Sequence, residues 1–226
     1  MASSRPTPTW WVPAGLVALS TIPVVSGTLR VAELAGGPVT MPAKPALLES
    51  PAAVVVHIAA SVPFVLLGAF QLSAGVRRRW PRWHRRAGRV LVPLGLAAAL
   101  SALWMNQLYV DPEGRNELLY AFRWLFGSLM LWSLVLGVRA VVRRDFRAHQ
   151  AWMTRAYAVG LGAGTQAFTL GVGQGLFGTT DLTTAVFQAA GWTLNLAVAE
   201  WAIRRTRHHP PLRKAKQHDH HLTSTR

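Results

Sequence analysis

The chain has 226 residues, no cysteine and a formal net charge of +15, yet 51% of its residues are hydrophobic and only 15% are charged. Such apolar content and such a basic excess exclude one another in a soluble domain unless charge and apolar side chains are segregated along the chain. The lack of cysteine excludes a disulfide framework, thiolate zinc sites and iron–sulfur clusters.

The segregation is visible in chain order. Apolar runs cover Trp11–Thr28, Ala52–Ser73, Val90–Tyr109, Leu118–Val141, Trp152–Gly173 and Thr184–Ile203. About twenty apolar residues at a rise of 1.5 Å span a hydrocarbon core of about 30 Å. Six such runs predict an all-α, polytopic transmembrane bundle of about six spans. The first run opens on Trp10-Trp11 and has no small-residue cleavage site, so it reads as a retained helix rather than a signal peptide. Pro13, Pro23, Pro63 and Pro93 fall inside spans, which a bundle tolerates when neighbours satisfy the released carbonyls. In the fifth run, glycines at 160, 162, 164, 171 and 173 predict close helix approach, or else a broken helix lining a cavity. The expected organisation is one membrane domain over residues 1–205 and a basic, histidine-containing, disordered tail over 206–226.

Orientation follows from lysine and arginine. About twenty of the 24 fall at the N-terminus, in residues 77–89 and 139–155, and in the tail, all on one side of the six-span topology. The positive-inside rule places both termini and the two arginine-rich loops in the cytoplasm, in a multi-pass protein of the inner or plasma membrane. RRRWPRWHRRAGRV, residues 77–90, resembles a nucleic-acid grip in isolation, with seven arginines and two tryptophans. Between two spans it reads instead as a membrane-orienting loop against anionic lipid headgroups, with Trp80 and Trp83 in the interface belt. Membrane lipids are the expected partners, and nucleic acid is not.

Polar residues inside spans are costly and so mark candidate sites. They form two layers. The outer one holds His57, Gln107 and Arg123, with Asn106, Gln174 and Gln188 at similar depth. The inner one holds Gln71, His84, Arg89, His149, Trp152 and Arg155, with Asn195 and Glu200 at the end of the sixth run. Glu200 is the one acidic residue within a run and is expected to pair with Arg89, Arg155 or Arg204. The second and third runs match the fourth and fifth in direction: Arg82-x-His84 is echoed by Arg147-x-His149, and His57 and Arg123 precede the two histidines by similar distances. A parallel repeat would bring His84 and His149 to the same depth.

GAFQL, WHRRAGRV and AHQAWMTRAYA, in this order and on these helix ends, resemble the bacterial predicted membrane proteins grouped as domain of unknown function 2306. The resemblance runs from about His57 to Gln166. It implies no activity, and it singles out Gln71, His84, Gly88, Arg89, His149, Trp152, Met153 and Arg155.

Three functions fit these residues. The first is a non-enzymatic binding or carrier protein, in which the inner ring receives an anionic headgroup or small metabolite, since arginine donates in bidentate fashion to carboxylate and phosphate. The second is a membrane redox protein with b-type haem held by His84 and His149 as axial ligands. The third is a scaffold with no ligand. No nucleophile elbow, phosphate loop, zinc-protease helix or paired carboxylates accompany them, which favours a non-enzymatic role.

Overall fold

The structure is a computed structural model that describes residues 10–41, 45–109 and 114–208. Asp111, Glu113, Lys44 and the tail beyond His208, with the histidine cluster expected to be disordered, lie outside the described residues.

The described residues form α1 (Trp11–Leu34), α2 (Pro45–Glu49), α3 (Ala52–Leu72), α4 (Ala74–Arg79), α5 (Pro81–Leu108), α6 (Glu117–Val142), α7 (Phe146–Gly160), α8 (Gly162–Phe177) and α9 (Asp181–His208). Four of these are long and apolar enough to cross a membrane: α1, α3, α5 and α6. The protein is a membrane-embedded helical bundle. Long helices lie at all six expected runs, but the fifth is divided. It breaks at Leu161 into α7 and α8, and α9 carries Gln188, Asn195 and Glu200 along its length.

Neighbouring helices pack in chain order and then close on themselves. α3 packs on α1 and α5, α6 on α5 and α7, and α9 on α6, α7 and α8, while α8 returns to α1. The core sits where α3, α5, α6 and α7 meet, around Phe64, Met130, Leu134 and Tyr157. Small residues set the spacing. A Cβ on Gly68 would lie 2.7 Å from the Tyr157 ring, and one on Gly95 or Gly160 would lie 2.6 or 2.7 Å from the Phe64 ring. The Tyr157 hydroxyl donates to the Val65 carbonyl at 2.8 Å, locking α7 onto α3.

The glycine-rich run gives both close helix approach and a break at Leu161, and neither described cavity is lined by it. Gly160, Gly162 and Gly164 each admit a different helix: Phe64 of α3, the Trp192 indole of α9 and the Leu19 carbonyl of α1. Pro23 has no N–H, so it leaves the Leu19 carbonyl without its helical donor, and that oxygen lies against Gly164. At the break, the Asn195 amide donates to the Ala158 carbonyl at 3.1 Å, and the Thr165 hydroxyl donates to the Asn195 side-chain oxygen at 2.7 Å. Further along, the Gln166 amide donates to the Gln188 carbonyl at 3.0 Å and the Thr169 hydroxyl to the Phe187 carbonyl at 2.7 Å. Asn195 thus supplies a donor to a carbonyl at the break, as an apolar surround requires, and the remaining bonds of this polar seam join α8 to α9.

The two basic connections differ from the expected loops, being mostly helical. Ser73 caps α4, with the Val76 N–H 3.4 Å from its hydroxyl, and a single extended residue, Trp80, separates α4 from α5. Pro81 takes the first position of α5, where a missing N–H costs nothing, and arginine is a good helix former. The second connection is a turn of three residues, Arg143 to Asp145, with Arg144 left-handed at φ 60°. The Asp145 carboxylate accepts from the Ala148 N–H at 2.9 Å and starts α7. α9 runs through the expected domain boundary at residue 205 as far as His208.

Candidate functional site

Three helix ends converge at the basic end of the bundle: the C-terminus of α3 and the N-termini of α5 and α7. The antiparallel register of α3 and α5 is fixed by His57 beside the Ala98 carbonyl and by Phe64 against Gly95. Continued one turn at a time, it brings Gln71 level with the first turns of α5. Tyr157 against Gly68 sets α7 so that its first turns, including His149, reach the same level.

Each inner-layer residue has a distinct environment. The His149 Nδ1–H donates to the Gly137 carbonyl of α6 at 2.9 Å. Because a carbonyl can only accept, Nδ1 of this ring carries a proton and Nε2 faces away from that bond. His84 is half-buried, and its Nδ1 is buried with no hydrogen-bond partner. Arg77, His149 and Arg85 all lie within electrostatic reach of the His84 ring, so the two histidines do stand near one another. The Gln71 amide nitrogen is likewise buried without a partner.

Arg155 is engaged internally. Its Nε and a terminal nitrogen donate to the two Glu200 oxygens at 2.5 and 3.0 Å, so Arg155 is the partner that Glu200 takes among the three expected. The same guanidinium lies 4.5 Å from the centroid of the Trp152 ring. Trp152, Arg155 and Glu200 therefore form one packed unit that ties α7 to α9. Arg89 is exposed, outside the convergence of helix ends.

Arg77, read from sequence as part of the orienting stretch, lies within electrostatic reach of His84. It is half-buried on α4, and burial and the neighbouring Arg78 hold its guanidinium below its ordinary pKa. The other residues missed by sequence reading are backbone: the Gly137 carbonyl, which carries no sequence signal apart from the glycine itself.

The outer layer separates into two groups. The His57 Nδ1–H points between the Ala98 carbonyl at 2.9 Å and the Ser101 hydroxyl at 3.3 Å, joining α3 to α5. The Gln107 amide donates to the Tyr120 hydroxyl at 2.8 Å, joining α5 to α6 one helix turn from Arg123. Arg115 stacks 4.3 Å over the same tyrosine. Among the described residues, no group of three or more His, Cys, Asp or Glu side chains stands in metal-holding range.

No curated protein and no solved structure matches the chain. A family model described as predicted membrane protein (DUF2306) matches residues 54–203, from the first turn of α3 to near the end of α9. It takes in every residue of both polar layers, and the chain belongs to that family.

Proposed function

We propose that this is a non-enzymatic binding or carrier protein whose site is the convergence of Gln71, His84 and His149, bordered by Arg77. The ligand is a small molecule or headgroup presenting a negatively charged hydrogen-bond acceptor. One observation carries the reading: the Gln71 amide nitrogen and His84 Nδ1 are buried at the same end of the bundle without partners. A buried unpaired donor costs about 1–3 kcal/mol. Two at one level, beside a guanidinium, are what an acceptor would satisfy. Arg155, with Trp152 stacked on it, supports the site from outside by holding α7 on α9 through Glu200. The excess of arginine at this end supports a cytoplasmic position in a cell-membrane protein by the positive-inside rule.

The test is native mass spectrometry of the detergent-purified protein beside Gln71→Leu and His84→Leu. The expected result is a bound small-molecule mass in the wild type that both variants lose while remaining folded. Equal retention in both variants would overturn the assignment, and a wild type carrying no ligand from any expression host would favour a scaffold.

A second reading is b-type haem between His84 and His149. Its support is the His149 ring, whose carbonyl-tethered Nδ1–H leaves Nε2 as the ligating nitrogen, an arrangement typical of metal-bound histidine. Haem would bring one-electron chemistry to the site. Oxidised and dithionite-reduced absorption spectra decide it. A Soret band lost in His84→Ala and in His149→Ala establishes haem; a colourless protein from haem-sufficient cells removes it.

A further inference from the structure

The geometry points to a separate anionic-phospholipid site in the cleft where α4 and α5 part at Trp80. The cleft has a volume of about 520 Å³ and is lined by Arg79, Trp80, Pro81, Arg82, Trp83 and Arg85. It exists because the chain breaks helix for one residue. Trp80 takes φ −129° and ψ 66°, while α4 is pinned on one side by the Ser73 cap and the buried Val76. The last turn of α4 and the first turn of α5 therefore diverge, and their arginines face a common gap.

Two features identify the occupant. The first is charge. Arg79, Arg82 and Arg85 are all exposed. The described carboxylates at this end are Asp145, which caps α7, and Glu200, which is held by Arg155. Three guanidinium groups thus share a cleft whose countercharge has to come from outside the described chain, and guanidinium suits a phosphodiester in bidentate fashion. The second is depth. Trp80 and Trp83 are 46% and 38% exposed, and Arg79 lies 5.3 Å from the Trp80 ring centroid. Indole with a stacked cation is interface chemistry, and the cleft lies at the ends of α3 and α5, two helices apolar enough to cross the bilayer. The phosphate of a lipid in the same leaflet reaches this position without leaving the membrane. The cleft lining shares no residue with Gln71, His84 and His149, although Arg85 lies within electrostatic reach of His84.

The test uses the full-length protein in a neutral detergent, titrated with phosphatidylglycerol and followed by native mass spectrometry. Wild type is expected to retain phosphatidylglycerol in preference to phosphatidylcholine. Arg79→Gln/Arg82→Gln/Arg85→Gln is expected to weaken retention about a hundredfold, at about 1 kcal/mol for each surface arginine. The exposed triple Arg139→Gln/Arg143→Gln/Arg144→Gln, which removes the same charge elsewhere on this end, should retain the lipid. Equal loss in both triples would reduce the cleft to diffuse attraction and overturn the site. So would displacement of the lipid by millimolar inorganic phosphate, or tighter cleft-dependent binding of an RNA oligonucleotide.

Discussion

His84 is the fourth residue of α5 and His149 the fourth of α7, and each backbone N–H donates to the residue just before its helix, at 3.0 Å in both. Their side chains differ. Around His149 the hairpin is closed: Asp145 caps the helix, the turn is three residues long, and the ring reaches the carbonyl of Gly137. Around His84 the connection carries an extra short helix, Trp80 gives no side-chain cap, and the ring nitrogen is left without a partner beside a second orphan on Gln71. One histidine is spent on architecture. The other retains hydrogen-bonding capacity that no described residue uses, and the proposed ligand site rests on that difference.

The comparison can be broken most severely through the contact that holds α3 to α7. Gly68→Ala pushes a methyl into the Tyr157 ring, and about 2–3 kcal/mol of stability should be lost. This would be read as a fall in thermal midpoint, with loss of the Tyr157 bond as both hairpins shift. Glu200→Gln leaves the Arg155 guanidinium partly buried without its carboxylate, at a cost of about 1–2 kcal/mol for a pair of this exposure. An unchanged midpoint would mean that the ion pair adds nothing to the other contacts that hold α7, the Tyr157, His149 and Asn195 hydrogen bonds. His149→Ala removes the tether to α6 and should cost about 1 kcal/mol. His84→Leu carries the smallest effect and the opposite sign: removing an unsatisfied buried nitrogen should leave the ligand-free protein unchanged or up to about 1 kcal/mol more stable. If His84→Leu destabilises as much as His149→Ala, the two histidines are equivalent anchors and the distinction between them fails.

Much of the fold was legible because it rests on apolar length: five of the six apolar runs coincide with a single long helix, and the fifth is shared between α7 and α8. The break at Leu161 was visible only as a choice between packing and interruption. Glycine spacing permits both, and the decision lies with Asn195, thirty-odd residues later, which satisfies the Ala158 carbonyl. His84–Arg89 and His149–Arg155 do lie in first turns of helices as expected, but Arg77–Arg82, read as loop, is helical except at Trp80, since arginine density marks membrane sidedness and says nothing against helix. In the site, the nearness of His84 and His149 followed from their matching places in the sequence. The commitment of Arg155 to Glu200 was one of three pairings that sequence could not separate. Arg77 was hidden because its half-burial arises from the packing of α4, and the role of Gly137 because backbone oxygens are the same in every residue.

The contact between the Leu19 carbonyl and Gly164 has a consequence for biosynthesis. The family match begins at residue 54, so α1 stands outside it, and its partner glycine lies roughly 145 residues further along the chain. At about 5–20 residues per second, α8 emerges some seven to thirty seconds after α1. α1 can dock on α3 as soon as that helix follows it, with Gly27 against Ile58. Its other face, with the oxygen exposed by Pro23, gains its neighbour only when α8 arrives, so the first helix is completed in two steps well separated in time.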